Sequence, residues 1–214
     1  MEITVAITGA SGAIYSHRLI NLLVAEQSVS RINLVPSKAA IRVMNDELDL
    51  QPLSLKNLPE KLVEQNKQKI KLISNDDIGA SIASGSYHTD SMVIIPCSMG
   101  TLGSIAHGIS RDLIQRAADV MLKEKRKLIL VVRDTPLNLI HLENMRLVTL
   151  AGATVFPATP SFYHRPSSLQ NVVDQFSVRD LKPPIFKRLP LSEARLAHEI
   201  IDSREVMGKL ILKP

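Results

Sequence analysis

Six short runs of apolar, largely β-branched residues punctuate the chain, at Ile3 to Thr8, Ile32 to Val35, Ile70 to Ile73, Met92 to Pro96, Leu128 to Val132 and Thr154 to Pro157. Each is too short for a globular helix and apolar nearly throughout rather than alternating, so each reads as a strand buried on both faces. The stretches between them carry apolar residues at helical spacing, as in Ile14, Leu19, Leu22 and Leu23, and again in Leu113, Ile114, Ala117, Ala118, Met121 and Leu122. Strand and helix therefore alternate, with crossovers long enough to hold helices. That order predicts an α/β fold with an open parallel sheet covered by helices on both faces.

A chain of 214 residues without a break in composition fits one such domain, expected over residues 1–214. Aromatic residues make up only 3% and Trp is absent, so the core must be built from Ile, Leu, Val, Ala and Met. The net charge of +5 could suggest nucleic acid, but Lys and Arg are dispersed and the aromatics needed for base stacking are scarce. Small anionic ligands account for the excess equally well. The single cysteine, Cys97, rules out an intramolecular disulfide framework and a Cys-based zinc site. No apolar run approaches the roughly 20 residues that span a bilayer, and the N-terminus does not resemble a signal segment. A soluble, cytoplasmic protein is the expectation.

Ser110 is placed to cap a helix over Arg111 to Lys125, and Gly152 to stop the next one. The Lys- and Gln-rich span Gln51 to Lys71 reads as a solvated helix and its approaches. From Ser167 onward Pro and charge increase, and Pro183-Pro184 separates two candidate helices. Residues 167–214 are thus expected to form a helical tail packing on the domain or on a neighbouring subunit.

The first strand runs into Gly9-Ala10-Ser11-Gly12 and then a helix, which gathers small residues, free backbone N–H groups and a helix N-terminus where an anion is favoured. Thr-Gly-x-x-Gly also opens NAD(P)-binding dehydrogenases. Here, however, Tyr15 stands where their third glycine belongs, Val35-Pro36-Ser37 offers no acid for a ribose hydroxyl, and no Tyr-x-x-x-Lys pair follows. Ser37 suits a phosphate better, and a purely structural tight turn is the bland alternative. A second polar loop, Pro96-Cys97-Ser98-Met99-Gly100-Thr101-Leu102-Gly103-Ser104, follows the fourth strand, and Arg133-Asp134-Thr135-Pro136-Leu137 follows the fifth. Ligands of open α/β sheets bind beyond the strand C-termini, so these loops imply one shared pocket. Ala83-Ser84-Gly85-Ser86 adds small polar residues, Tyr163 offers a phenol with an apolar face, and Cys97 reads as a buried small hydrophobe rather than a nucleophile.

Taken together, the blocks resemble the UbiX-type flavin prenyltransferases. They are Thr8-Gly9-Ala10-Ser11-Gly12-Ala13-Ile14-Tyr15, Ser37-Lys38-Ala39-Ala40, Ala83-Ser84-Gly85-Ser86, Pro96-Cys97-Ser98-Met99-Gly100-Thr101-Leu102, Arg116-Ala117-Ala118-Asp119-Val120-Met121-Leu122-Lys123-Glu124, Arg133-Asp134-Thr135-Pro136-Leu137, Ile140-His141-Leu142-Glu143-Asn144-Met145 and Phe162-Tyr163-His164. They run in family order from about residue 3 to about residue 180. The resemblance implies a single Rossmann-like three-layer flavoprotein domain that joins a dimethylallyl group from dimethylallyl phosphate to N5 and C6 of reduced FMN. The product, prenylated FMN, would serve a UbiD-type decarboxylase, and no metal is implied. By the same resemblance Gly9, Ala10, Ser11, Ser37, Ser98, Met99, Gly100, Thr101 and Arg133 are expected to contact FMN. Tyr163, Arg179, Arg116, Lys123 and Ser86 are expected to contact the prenyl phosphate, and Ser11, Glu47, Asp134 and Lys123 to take part in the chemistry. Breaking an allylic C–O bond puts negative charge on the departing phosphate, which explains the cations and hydroxyls.

Two departures stand out: the family has Glu where this chain has Asp134, and its Trp residues near the prenyl chain are missing, with Ile78 near one such place. Two other readings stay open at this stage. One is an FMN-dependent cysteine-residue decarboxylase, although Pro96-Cys97-Ser98-Met99-Gly100-Thr101 replaces that group's Pro-x-x-Ala-Asn segment. The other is a non-catalytic FMN-binding subunit. The resemblance further implies a homo-oligomer, typically a dodecamer with active sites at trimer contacts.

Overall fold

The computed structural model describes residues 1–50, 52–159, 185–194 and 209–213. The chain divides into a unit spanning Met1–Phe176 and a second spanning Ser177–Pro214. In the first, six strands form one sheet: β1 (Glu2–Ile7), β2 (Arg31–Pro36), β3 (Ile70–Leu72), β4 (Ser91–Cys97), β5 (Lys127–Val132) and β6 (Thr154–Pro157). Every apolar run of the sequence is a strand, to within a residue at either end. The order is β3-β2-β1-β4-β5-β6 and every pairing is parallel.

Burial explains why the apolar runs are continuous. All seven residues of β4 are buried, as are all but the first of β1, β2 and β5. The helices that cover them are α1 (Ala13–Ala25), α2 (Lys38–Glu47), α3 (Leu58–Leu62), α4 (Met99–Ala106), α5 (Leu113–Lys123) and α6 (Leu139–Leu150). On α5 the apolar spacing buries Leu113, Ile114, Ala117, Ala118, Val120 and Met121. Each of its large apolar side chains contributes about 1.5–3 kcal/mol on leaving water. The chain winds outward from β1 to β3, then crosses back to β4 and winds the other way. Right-handed crossovers in opposite directions lay helices on opposite faces, and α1 packs with α2 and α3 while α4 packs with α5 and α6. The reversal leaves a crevice beyond the C-termini of β1 and β4, the place where such sheets bind ligands.

Three sequence expectations need correction. The cap of α5 is Asp112 rather than Ser110: Asp112 is extended and its carboxylate accepts from Gln115 N at 2.9 Å, which starts the helix two residues later. The span from residue 52 to Lys71 is not one solvated helix. Only Leu58–Leu62 and a 3-10 turn at Lys67–Lys69 are helical, and Leu53, Leu58, Leu62 and Val63 are buried, so its leucines tie it to the core. In the second unit the described residues form a parallel pair, β7 (Ile185–Pro190) and β8 (Lys209–Lys213), with a 3-10 turn at Leu191–Glu193, where helices were expected. Gly152, in contrast, does stop α6, at φ +106 in the left-handed region that favours glycine.

Candidate active site

Four strand-end loops meet at the crevice and are stitched to one another. The buried Thr8 hydroxyl donates to the Pro96 carbonyl at 2.7 Å and accepts from Ser98 N at 2.8 Å, which locks the loop after β1 to the loop after β4. Ser37 N donates to Ile7 O at 2.9 Å, and Arg133 Nε donates to Ser11 O at 3.0 Å, which adds the loops after β2 and β5. A side chain at Gly9 would put its Cβ 2.6 Å from that of Ala39, so only glycine lets the first loop approach the start of α2 this closely.

Ser37 and Ser98 cap α2 and α4. Ser37 Oγ accepts from Ala40 N at 3.0 Å, while Ser98 Oγ accepts from Thr101 N at 3.4 Å and lies 3.1 Å from Thr101 Oγ1. Met99 is buried beneath the α4 turn, and Gly100 faces open space. Two helix N-termini with hydroxyl caps thus flank the crevice, an arrangement suited to a phosphate.

The start of α1 has a different occupant. Gly12 caps it at φ +113, and both Gly12 N and Ala13 N donate to Glu47 Oε2 at 2.8 Å. Here the anion the sequence places at this helix end is the chain's own carboxylate, delivered from the last turn of α2. Partial burial alone would raise the Glu47 pKa. The Ser11 hydroxyl, the two backbone N–H groups and the Arg133 charge outweigh it and hold the carboxyl below its ordinary range. Burial raises the Tyr15 phenol, against a lowering by the same Arg133. Glu47, Ser11 and Arg133 therefore form one connected group. Asp134 does not join them through any bond of its own: its Oδ1 accepts from the adjacent Thr135 N at 2.9 Å. Cys97 is fully buried, which pushes its thiol up to about 12 and makes it an apolar packing group at neutral pH.

The remaining expected residues lie elsewhere. Arg116 Nε donates to Ala83 O at 3.2 Å and its Nη1 pairs with Asp119 at 2.9 Å. Lys123 pairs with Glu124, and both side chains crowd Gly85, where an added Cβ would fall 2.7 Å from Lys123 Nζ. Ser86 Oγ is 2.8 Å from Ser84 Oγ. Ser86, Arg116 and Lys123 thus come together, but around the loop that leads into β4 and beside the residues that lead into β5. Tyr87, next in that loop, bonds Glu2 at the start of β1. These are strand beginnings. The Ser11, Ser98 and Arg133 loops are at strand ends, roughly 20 Å away across strands of six residues. Tyr163 and Arg179 lie outside the described residues.

Sequence reasoning missed the stapling role of Thr8, signalled only by a hydroxyl at the end of a buried strand, and it missed Arg126, whose partners are backbone carbonyls and leave no mark in the sequence. A cavity of about 490 Å³ between α1 and residues 60–66 is lined by none of the expected site residues. Among the described residues no cluster of His, Cys, Asp and Glu could hold a metal ion, and no helix is long and apolar enough to cross a membrane.

A family model described as Flavoprotein matches residues 1–176. The chain is 45% identical over 171 residues to the flavin prenyltransferase UbiX of Halalkalibacterium halodurans, covering 80% of this chain and 82% of that one. Among solved structures it is similar to AnUbiX in complex with FMN and dimethylallyl pyrophosphate, with a TM-score of 0.74, 41% identity and coverage of 84% and 90%. It is also similar to a dodecameric FMN-dependent UbiX-like decarboxylase from Escherichia coli O157:H7, with a TM-score of 0.75, 38% identity and coverage of 85% and 93%.

Proposed function

The chain belongs to the flavoprotein family, among its UbiX-type flavin prenyltransferases, and from that premise we propose that it transfers a dimethylallyl group from dimethylallyl phosphate to N5 and C6 of reduced FMN. The prenylated FMN then serves a UbiD-type decarboxylase, with both proteins in the cytoplasm. The stitched crevice is the observation that carries the reading. Glycine at position 9 lets the loop after β1 close on the start of α2, which brings the Ser37 and Ser98 caps and Arg133 around one crevice suited to the FMN phosphate. Reduced FMN, when bound, supplies the nucleophilic nitrogen and carbon.

The chain's own groups do the rest. Glu47, held ionised by Ser11, Gly12, Ala13 and Arg133, is set to accept a proton rather than to give one. Arg116 and Lys123, with the Ser86 hydroxyl, suit the negative charge on the departing phosphate. Tyr163 and Arg179 complete that set by family resemblance, and Asp134 serves proton transfer with a reach one methylene shorter than the family Glu.

Strand-end and strand-beginning residues cannot share one small substrate within a single copy, so the reading requires a homo-oligomer in which the second set comes from a neighbour. The surface supports this. Leu139 is 79% exposed and Ile140 68%, and Leu137 and Leu142 stand beside them at the start of α6. Monomers seldom expose so contiguous an apolar face. We place this face, and the 167–214 tail, at subunit contacts in a dodecamer.

Anaerobic incubation with reduced FMN and dimethylallyl phosphate, followed by mass spectrometry, tests the function. A flavin heavier by one five-carbon unit is expected. Tight FMN binding with an unchanged flavin would favour the non-catalytic carrier, and carbon dioxide release from a peptidyl cysteine would favour the decarboxylase.

A further inference from the structure

Arg126 lies between the end of α5 and the start of β5. Its Nη1 donates to Tyr87 O and its Nη2 to Gly85 O, both at 2.6 Å. With Arg116 bound to Ala83 O, three alternate carbonyls of the 83–87 loop are held by two guanidinium groups. The loop is also fastened by the Tyr87–Glu2 bond, by Tyr87 N donating to Ser84 O at 3.2 Å, by the packing of Ala83 and Tyr87 on the core, and by the close seat of Gly85, where an added Cβ would meet Glu124 Oε1 at 2.1 Å. The Ser84 and Ser86 hydroxyls, 2.8 Å apart, lie in sequence between the clamped carbonyls, and the Lys123 ammonium, paired with Glu124, stands at the same loop beside Gly85.

A carbonyl oxygen repels a phosphate, whereas a hydroxyl or an ammonium attracts it. A loop of this kind accepts an anion only if its carbonyls are turned elsewhere, and an arginine fork can hold two of them in one fixed geometry. We infer that Arg126 is a positioning residue for the prenyl-phosphate site: it draws the Gly85 and Tyr87 carbonyls away, leaving the Ser84 and Ser86 hydroxyls and Lys123 as a donor surface. This rests on the prenyltransferase reading. Lysine, a point charge, cannot reproduce the fork.

The test uses Arg126→Met and Arg126→Lys in the full-length, FMN-loaded protein. Steady-state kinetics should show a KM for dimethylallyl phosphate raised about tenfold or more in Arg126→Met, as expected for the loss of charge-assisted bonds, with a smaller change in kcat. FMN affinity should be unchanged, because the strand-end loops do not touch Arg126. Arg126→Lys should recover only part of the loss. Calorimetric titration with inorganic phosphate should show the same weakening and needs no turnover, so it separates failure of this inference from failure of the prenyltransferase reading. Unchanged phosphate affinity and KM in a folded variant would overturn it. So would FMN affinity falling in step with phosphate affinity, since that would make Arg126 a general structural support.

Discussion

The two edges of the sheet solve the same problem, fixing a loop against a parallel sheet, with different materials. At the strand ends the loops are joined by short side chains and backbone: Thr8 bridges to Pro96 and Ser98, Ser37 N reaches Ile7, and glycine at position 9 removes a side chain that would collide with Ala39. At the strand beginnings the 83–87 loop is held by long cations, Arg116 and Arg126, reaching across from the α5 side. The first edge leaves N–H groups and hydroxyls around an open crevice, as a large neutral ring with a single anionic tail requires. The second gathers Arg116, Lys123 and Arg126 at one loop, the first two paired with Asp119 and Glu124. In the proposed oligomer each edge supplies half of a site, and separation along the strands keeps the halves of one copy apart.

The strongest test of that division is complementation. Arg133→Met damages only the strand-end set and Lys123→Met only the strand-beginning set, and each alone should lower prenyl transfer by about a hundredfold. Co-expressed in one mixed oligomer, the two variants should regain about a quarter of wild-type activity, because a contact between unlike surfaces of two copies joins an intact strand end to an intact strand beginning in that share of sites. If both sets of one copy served the same site, the mixture would stay as inactive as its parts.

The division also marks what the sequence could disclose. The six strands were legible because strands buried on both faces must be apolar nearly throughout, and the strand-end loops because each is a continuous segment of small polar residues beside such a strand. What escaped is non-local. Glu47 is 35 residues from Gly12 and was named only through the family resemblance; its bond to the start of α1 was not legible, since nothing local says that α2 ends there. Arg126 and Gly85 are 41 residues apart and bond through a carbonyl that every residue possesses. The Asp112 cap was missed because Ser110 offers the same chemistry two residues earlier and only the backbone path decides between them. The span after residue 51 misled because its many Lys and Gln outweighed the few leucines that tie it to the core.

The α6 face sharpens the comparison from the side of assembly. If it joins copies, Leu139→Glu with Ile140→Glu should shift the particle mass in light scattering to smaller species. Prenyl transfer should fall about tenfold or more with it, as hydrophobic anchors central to an interface require. FMN retained by the smaller species would locate the crevice within one copy. An unchanged mass would send the search for the subunit contact to another surface.

The smallest expected effect concerns Glu47 and the strand-end edge alone. Its carboxyl is held below the ordinary value of 4.5 in the folded chain, burial notwithstanding, by the Ser11 hydroxyl, the Ala13 and Gly12 N–H groups and Arg133. The ionised form is thus the one folding favours. Its contribution to stability is complete above the unfolded value, near pH 4.5, and is lost as pH falls through the lower folded value. Glu47→Gln keeps an oxygen for Gly12 N and Ala13 N but loses the charge facing the helix N-terminus and Arg133. Thermal melts should place the variant below wild type by no more than about 3 °C at neutral pH, because the carboxylate is largely exposed and its charge screened. The gap should close as pH drops well below 4.5, where wild type too becomes neutral. A gap that persists in acid would mean that shape rather than charge holds Glu47 at α1, and the strand-end edge would then lose its prepared proton acceptor.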